Sequence, residues 1–193
     1  RPPMRKERTT LIPPLLRREI LEALPEPGDH LLVYQTAEGA SALPAILRKA
    51  DVPSRVYGFR RDLSEDVTEG NVTYRPFSEP RFIEDLRTAR AVIASGGFTL
   101  MSEAVYLRKP VLAVPLVGHF EQVLNALYLQ KLGYGVFAKE LTPEVLTEFL
   151  RLVPKLSEGL KQYQQDGNSE AFAAVDAQLA RALERRRGTR RKR

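Results

Sequence analysis

The chain has 193 residues and a formal net charge of +6, with 30 Lys and Arg against 24 Asp and Glu, and it contains no cysteine. A chain of this length can bury the core of one domain, and the lack of cysteine excludes disulfides, thiol chemistry and cysteine-type zinc sites. The 2 histidines also argue against a histidine-rich metal centre, so we expect neither a metal nor a cofactor.

Most of the positive charge lies at the C-terminus. Residues 181–193 contain eight basic residues and one acidic residue. Such a basic tail is typically a solvated, disordered segment, and it can also contact anionic lipid headgroups, at about 1 kcal/mol per basic residue near the surface. The rest of the chain shows no aromatic platform or basic recognition helix, so we expect no nucleic-acid partner.

The first half of the chain alternates between predicted strands and helices. A basic, proline-rich start and a short amphipathic helix over 15–24 form a linker and leading helix within residues 1–27. The segments that follow are predicted as a strand over 30–35, a helix over 42–50, a strand over 54–59, a polar surface loop over 62–71, a strand over 72–74 and a helix over 80–88.

The second half continues the alternation, with strands over 91–94 and 111–115, each followed by a helix. The helix over 121–132 is expected to pack through an apolar stripe of Leu124, Leu127, Tyr128 and Leu132. Thr142 and Pro143 start another helix, which Pro154 should interrupt or end. A last helix from Ser169 is expected to turn four apolar side chains inward, namely Phe172, Val175, Leu179 and Leu183.

This alternation of strands and helices predicts an α/β fold: a Rossmann-like, doubly wound parallel sheet in a single domain over residues 28–180. No apolar stretch approaches the 18 residues that a membrane-spanning helix needs, so we expect none. In such a sheet, ligands bind beyond the carboxyl ends of the strands. The polar residues that follow two of the predicted strands are therefore the candidates for a binding site.

The first polar cluster joins an apolar strand directly to a helix. It consists of Ser95, Gly96 and Gly97, followed by Phe98 and Thr99 in the first helical turn. Glycines permit a sharp turn and close approach of a ligand, and the unpaired N–H groups of a helix start attract phosphate. These five residues predict a phosphate-binding loop, and the alternative is an ordinary tight turn.

Glu103 lies four residues after Thr99, on the same helix face and one turn further along. Its carboxylate can accept two hydrogen bonds at once, which matches the neighbouring hydroxyls of a ribose. Phosphate at the helix tip and ribose one turn along is the spacing of a nucleotide. The alternative for a single glutamate in a helix is a solvated surface position.

The second polar cluster follows the next apolar strand and contains His119, Glu121, Gln122 and Asn125. Adjacent acid and amide side chains supply the acceptors and donors that recognition of sugar hydroxyls requires. His119 has three interpretations: a catalytic group, a phosphate donor or a surface residue. Together the two loops predict an anionic ligand that also carries sugar hydroxyls.

The combined motifs resemble the C-terminal, nucleotide-sugar-binding half of GT-B glycosyltransferases, in particular the group of the peptidoglycan lipid-intermediate N-acetylglucosaminyltransferase. The similarity rests on the small-residue loop, the run T-L-M-S-E ending in Glu103, and the pair Glu121-Gln122 before Asn125-Ala126. It implies that the segment Ser95, Gly96, Gly97, Phe98 and Thr99 binds the donor diphosphate. It also implies that Glu103 binds the ribose and that the second loop contacts the transferred sugar.

The same resemblance implies two further contacts. The loop after the first strand, with Thr36 and Gly39, would lie beside the donor phosphates or the acceptor, and its alternative is a plain turn and helix cap. Phe77 and Ser78 would form the base-binding loop, with a core position as the alternative for Phe77. Several relatives carry His, Asn or Arg just before the loop glycines, where this chain has Ala94 or Ser95. The missing cation would either weaken diphosphate binding or leave its role to Arg60, Arg61 or His119.

The resemblance implies the donor-binding domain of a transferase that moves a sugar from a nucleotide-sugar, expected to be a UDP-sugar, to an acceptor hydroxyl. A full GT-B enzyme has a second, N-terminal domain for the acceptor, so we expect this chain to be half of such an enzyme and inactive alone. The alternatives are a nucleotide-sugar epimerase of the same fold and a non-catalytic nucleotide-binding module. The expected location is cytoplasmic, with the basic tail able to hold the protein at the inner membrane face.

Overall fold

A computed structural model describes residues 9–35 and 42–190, with side chains as far as residue 183. Thr36 and Gly39 therefore lie outside the described residues. The chain divides into two compact units. The larger comprises residues 18–164, and the other combines the residues before 18 with those from 165 onward.

The larger unit alternates between strands and helices, as the sequence predicts. Its elements in chain order are α1 (Arg18–Glu22), β1 (Leu31–Tyr34), α2 (Leu43–Lys49), β2 (Ser54–Tyr57), β3 (Val67–Glu69), β4 (Val72–Tyr74), α3 (Glu79–Arg87), β5 (Ala91–Ala94), α4 (Phe98–Tyr106), β6 (Val111–Ala113), α5 (Phe120–Lys131), β7 (Gly135–Phe137) and α6 (Pro143–Leu160).

These strands form one seven-stranded sheet in the order β3-β4-β2-β1-β5-β6-β7. Every neighbouring pair is parallel except β3 with β4, which is antiparallel. The predicted Rossmann-like parallel sheet is confirmed, with one antiparallel strand added at its edge. Because β1 lies beside β5, the chain order reverses between them, and a ligand crevice is expected beyond their carboxyl ends.

The edge strand β3 corrects the prediction of a surface loop over 62–71. Val67–Glu69 and Val72–Tyr74 pair as a hairpin through the two residues Gly70 and Asn71. Gly70 has a φ of +65°, which a two-residue hairpin turn requires and glycine adopts without strain. The Gly-Asn dipeptide between two short β-type runs was the signal for this hairpin.

Helices cover both faces of the sheet. One face carries the main apolar cluster, in which alternate strand residues such as Leu31 and Ile93 pack with residues of α2 and α6. α6 continues to Leu160 through Pro154, so the prediction that this proline interrupts or ends the helix is wrong. Pro154 is exposed. The other strand residues, such as Leu32 and Val92, are equally buried and face the opposite helical layer.

The packed face of α5 also differs from the predicted one. α5 buries Ala126 and Leu129 beside β7, where Gly135 leaves space for the Leu129 side chain. The stripe that was expected to pack inward stays largely at the surface, with exposed fractions of 41% for Leu124, 46% for Leu127 and 60% for Leu132. A small residue at the contact lets the helix approach the sheet closely, which rotates the bulkier leucines outward.

The smaller unit contains α7 (Ser169–Arg190) and an extended N-terminal segment. The side-chain amide of Asn168 accepts a hydrogen bond from the Leu16 N–H (2.9 Å) and donates one to the Leu16 carbonyl (2.8 Å), so it links the two segments. The expected inward packing of α7 is wrong, because all four residues are 49–60% exposed, namely Phe172, Val175, Leu179 and Leu183. No helix in the described ranges is long and apolar enough to span a membrane.

Candidate functional site

The turn after β5 is built around Gly96. Its φ is +87°, in the region that favours glycine. A Cβ at this position would lie 2.9 Å from the backbone oxygen of Gln122, which belongs to α5. Both the turn and the close approach of α5 therefore require glycine here, and this contact joins the two predicted polar loops.

The tip of α4 is open to solvent. Gly97 occupies the N-cap position with extended backbone angles, and no side chain caps the helix there. Phe98 is 54% exposed and Thr99 is also exposed. The first N–H groups of a helix have no partner inside it, and the helix dipole places partial positive charge at this end. The tip can therefore accept an anion through backbone N–H groups and the Thr99 hydroxyl.

Glu103 lies one turn further along α4 and is 1% exposed. The turn spacing places it on the same helix face as Thr99. Ser102, by contrast, donates its hydroxyl back to the Phe98 carbonyl at 2.8 Å. A carboxylate can accept more than one hydrogen bond, so it suits a pair of sugar hydroxyls. The structure thus places a carboxylate close behind the anion-accepting helix tip.

The second loop is held against the first by amide side chains. Asn125 donates to the Gly96 carbonyl at 3.2 Å, and its Nδ2 lies 3.5 Å from Oε1 of Glu121. Gln122 Oε1 accepts the Leu116 N–H at 2.9 Å and so fixes the loop between β6 and α5. The structure therefore brings Gly96, Glu121, Gln122 and Asn125 together, which the sequence predicted only from their positions after neighbouring strands.

His119 occupies the N-cap position of α5 but does not cap it, since its side chain makes no hydrogen bond with any described residue. It is exposed, as is the adjacent Phe120 at 77%. No described acid or base orients the imidazole ring. The geometry therefore leaves His119 at the rim of the polar loops, available to a ligand and without the partner that a general base usually has.

The loop after β4 presents an aromatic side chain to solvent. Phe77 is 65% exposed, so the alternative of a core position is wrong. Its ring lies 5.9 Å from that of Phe82, which also contacts Tyr34 at the end of β1 (5.6 Å). Because β2 and β1 separate β4 from β5, this loop stands about 14 Å from the Gly96 turn along the sheet edge.

A buried ion cluster supports this aromatic loop. Asp85 of α3 is 1% exposed and accepts hydrogen bonds from Tyr57 (2.6 Å), Arg55 (2.5 Å) and Arg75 (2.7 Å). Burial raises the pKa of the Tyr57 hydroxyl, with Asp85 adding to the effect. Since Arg75 immediately precedes the Phe77 loop, the cluster anchors that loop to α3. Sequence reasoning missed it, because nothing in the pattern of α3 marks Asp85 as buried.

Gln35, which the sequence analysis did not single out, lies at the predicted crevice. It follows β1, is 2% exposed, and its Nε2 donates to the Val114 carbonyl at 3.2 Å. Its buried Oε1 has no hydrogen-bond partner among the described residues. The sequence signal for Gln35 was its position as a polar residue at the end of an apolar strand. Its location beside β5 became clear only from the strand order of the sheet.

Arg60, one of the residues that could replace the missing cation before the loop glycines, does not lie at the Gly96 turn. Arg60 pairs with Glu69 of the edge strand β3 at 3.5 Å and stacks over the Tyr74 ring at 5.7 Å. It is therefore held at the far side of the sheet from β5. In the described part of the chain, no three His, Cys, Asp or Glu side chains are grouped so that they could hold a metal ion.

Comparison with known proteins places these features in a family. The family model described as glycosyl transferase family 1 matches residues 1–154. An uncharacterized glycosyltransferase from Methanosarcina mazei is 30% identical over 151 residues, which cover 63% of this chain and 39% of that protein. The chain thus spans well under half the length of this relative.

A second relative and a solved structure extend the comparison. A Bacillus cereus protein, UDP-N-acetylglucosamine–N-acetylmuramyl-(pentapeptide) pyrophosphoryl-undecaprenol N-acetylglucosamine transferase 3, is 36% identical over 87 residues, which cover 43% of this chain and 24% of that protein. The crystal structure of Os79 from O. sativa in complex with UDP has a TM-score of 0.59 at 17% identity. It covers 83% of this chain and 42% of that one.

The family match covers most of the chain, and the parallel sheet has the same fold as a solved glycosyltransferase. These findings confirm the resemblance that the loop motifs indicated. The chain belongs to glycosyl transferase family 1 and has the fold of a GT-B glycosyltransferase domain.

Proposed function

We propose that this chain is the donor-binding domain of a glycosyltransferase that transfers a sugar from a UDP-sugar to an acceptor hydroxyl. The observation that carries the proposal is the contact between the two polar loops. Asn125 reaches the Gly96 carbonyl, and the Gln122 backbone closes on the same glycine. An anion-accepting helix tip and a set of acid and amide side chains therefore form one continuous surface.

We propose one direction for a nucleotide-sugar on this surface. The diphosphate would bind the α4 tip at residues 95–99, and the ribose would lie against Glu103 one turn along. The base would extend toward Phe77 and Ser78, and the sugar would lie against Glu121, Gln122 and Asn125. The proposed order follows the strand order, since the Phe77 loop and the α5 loop lie on opposite sides of the Gly96 turn.

The proposed reaction moves the sugar without a change of redox state. An acceptor oxygen forms a bond to the anomeric carbon while the bond from that carbon to the diphosphate oxygen breaks, and the acceptor proton passes to a base. Negative charge grows on the departing diphosphate, and the N–H groups at the α4 tip are positioned to stabilise it. We propose that the acceptor and the base are supplied mainly by the part of the enzyme that this chain does not span.

Two comparisons support UDP as the nucleotide. The Bacillus cereus relative carries a UDP-sugar in its name, and Os79 was solved in complex with UDP. An aromatic side chain exposed at the far end of the surface also suits a base, because bases stack on aromatic rings.

Calorimetric titration with UDP, ADP, GDP and dTDP tests this proposal, with Glu103→Gln as the variant. Glutamine keeps the size of the side chain but loses one acceptor and the charge. We expect selective UDP binding in the parent chain and a loss of about 10- to 100-fold in the variant, since a charged hydrogen bond contributes about 1.5–3 kcal/mol.

The matched control is Glu170→Gln, which removes an exposed carboxylate in the first turn of α7. It should bind UDP as the parent chain does. Because Glu103 is buried, the melting temperature of each variant must be measured to show that it is folded. Equal UDP affinity in folded Glu103→Gln and parent would remove Glu103 from the site.

A further inference from the structure

A cavity of about 390 Å³ lies at the edge of the sheet opposite the polar loops, where the strands begin. Arg90 immediately precedes β5, Lys109 precedes β6 and Gly28 lies in the segment before β1. Its polar lining also includes Arg108 from the turn after α4, Ser157 of α6, Glu26 and Lys161. All of these residues belong to the compact unit 18–164. This amino-edge cavity is therefore separated from the proposed donor site by the length of the strands.

An ion pair between Glu26 and Arg87 holds one wall of the amino-edge cavity in place. The Glu26 N–H donates to the Arg87 carbonyl at 2.9 Å, and the Arg87 guanidinium pairs with the Glu26 carboxylate at 2.7 Å. Gly28 passes so close to α3 that a Cβ there would lie 1.7 Å from the Thr88 oxygen. The wall is thus tightly packed, and Arg87 pairs with the carboxylates of both Glu26 and Glu84.

The remaining cations that line the cavity differ in this respect, since Lys161 pairs with Glu158 at 2.6 Å, whereas Lys109, Arg90 and Arg108 form no ion pair with a described residue. Lys109 is 5% exposed, and its ammonium donates to the Glu26 carbonyl at 2.6 Å, which leaves further N–H groups to bind a ligand. Burial, followed by repulsion from Arg87, lowers the pKa of Lys109 to about 8. Arg90 and Arg108 are exposed and form no ion pair with any described residue. The cavity therefore carries the positive charges of Lys109, Arg90 and Arg108, and the acid of its lining, Glu26, also pairs with Arg87.

Arg108 occupies a position where glycine is the usual residue. Its φ is +59°, and the two hydrogen bonds around it, Lys109 N–H to Ala104 (2.7 Å) and Arg108 N–H to Val105 (3.0 Å), form the glycine-type end of α4. A non-glycine residue in this conformation costs free energy. Strain of this kind persists where the side chain has a use, and here the side chain lines the cavity.

We propose that the amino-edge cavity binds a phosphate ester, with Arg90, Arg108 and Lys109 as its ligands. Guanidinium groups bind phosphate oxygens through paired hydrogen bonds, and a lysine adds a point charge. The ester comes either from a soluble phosphorylated metabolite or from a phospholipid headgroup, which share this chemistry. The inference does not depend on the donor site, because it uses different residues at the opposite end of the strands.

The test uses the full chain and glycerol 1-phosphate as the probe, followed by amide chemical shifts in NMR. In the parent chain we expect shifts at residues 90, 108 and 109, and shifts at residues 96 and 97 would report the donor loop separately. Arg108→Gly should weaken the amino-edge response at least about tenfold, since it removes a charged hydrogen bond. Because glycine suits the backbone at this position, the variant is expected to fold.

Two control variants separate charge from backbone effects. Asp51→Gly replaces the other described non-glycine residue with positive φ (+50°) without removing a cation. Lys155→Gln removes an exposed cation of α6 that does not line the cavity. Both should bind the probe as the parent chain does, whereas Lys109→Met, a second variant within the cavity, should lose binding as Arg108→Gly does.

Vesicle flotation distinguishes the two sources of phosphate, with phosphatidylcholine vesicles compared with vesicles that also contain phosphatidylglycerol. A lipid source predicts binding to the anionic vesicles that Arg108→Gly reduces, while a soluble source predicts a response to glycerol 1-phosphate alone. The basic tail is the same in every variant, so vesicle binding unchanged by Arg108→Gly would belong to the tail. Two results together would overturn the proposal. Vesicle binding would be unchanged by Arg108→Gly, and glycerol 1-phosphate would give either no response at residues 90, 108 and 109 or a response that Arg108→Gly does not reduce.

Discussion

The carboxyl and amino edges of the same sheet are both positive in character, but by different means. At the carboxyl edge the α4 tip offers backbone N–H groups beside Gly96, and the neighbouring side chains are acids and amides. At the amino edge the chain returns after α4 with Arg108 and Lys109, whose charges are carried by side chains. One helix thus contributes its N-terminus to the first region and its C-terminus to the second.

This difference has consequences for how each region responds to change. A site whose donors are backbone N–H groups depends on the conformation of the turn. Replacing Gly96 by alanine, which adds one methyl group, should therefore disturb it. A site made from side-chain cations tolerates changes in backbone but depends on charge, salt and pH. Substitutions that separate these dependences therefore test whether the two edges differ as the geometry indicates.

The largest effect is expected for Gly96→Ala. The added Cβ combines an unfavourable φ of +87° with a contact of 2.9 Å to the Gln122 oxygen. We expect a loss of about 3 kcal/mol in the free energy of unfolding, from about 1 kcal/mol of backbone strain and about 2 kcal/mol of overpacking. Urea denaturation followed by circular dichroism measures this difference.

Two matched glycines separate these costs. Gly118→Ala has a similar φ of +83° with nothing within 4 Å, so it should lose about 1 kcal/mol from backbone strain alone. Gly97→Ala has neither feature and should be close to neutral. If Gly96→Ala were no more destabilising than Gly118→Ala, the close approach of α5 to the turn would not hold in solution.

A smaller effect is expected for Gln122→Glu at the same edge. The new carboxylate still accepts the Leu116 N–H but cannot donate a hydrogen bond to a sugar hydroxyl. Affinity for a UDP-sugar should fall about tenfold more than affinity for UDP, equivalent to about 1.4 kcal/mol. Calorimetric titration with both ligands measures the difference.

Gln130→Glu is the control, since Gln130 also lies on α5 and its side-chain oxygen likewise accepts a backbone N–H, from Phe137 at 2.8 Å. It should change neither affinity. Equal losses for UDP and the UDP-sugar in Gln122→Glu would show that Gln122 does not contact the sugar.

The smallest effect is expected at the amino edge, for Lys109→Met as a function of pH. Burial and Arg87 lower the pKa of Lys109 to about 8, against about 10.4 in the unfolded chain. Between these values the unfolded chain binds more protons, so the stability of the parent should rise with pH. Methionine lacks this titration, and the parent should gain about 1 kcal/mol on the variant between about pH 9 and pH 10.

Urea denaturation across this pH range measures the gain. Lys155→Gln serves as the control because Lys155 is exposed on α6, and its stability should follow that of the parent. Parallel stability curves for Lys109→Met and the parent would show that Lys109 is not held in a buried, cationic environment.

The sequence predicted those parts of the site that lie close together along the chain. A strand, two glycines and a helix within residues 91–106 predict a phosphate-type turn from local geometry alone, and the position of Glu103 relative to this turn follows from helical spacing. The alternation of elements likewise predicted the parallel sheet, which the structure confirms. Local periodicity and turn chemistry carry this information, because they depend on neighbours within a few residues.

Packing partners could not be predicted in the same way. The apolar stripes of α5 and α7 were recognised, but the direction that each stripe faces was wrong, as the exposure of Leu132 and Leu183 shows. Periodicity reveals that a helix has an apolar face, whereas the element that meets the face is set by strand order and by small residues at the contact. The burial of Asp85 has the same origin, since its partners Tyr57 and Arg75 come from two other strands.

By itself, therefore, the sequence determined the family, the alternation of strands and helices, and the glycine turn with its acid. The tertiary structure decided how residues far apart in sequence meet: Asn125 with Gly96 at one edge of the sheet, and Gly28, Arg90 and Arg108 around a cavity at the other. The physical reason is that backbone conformation responds to adjacent residues, while close approach between distant segments depends on the order and spacing of the strands that carry them.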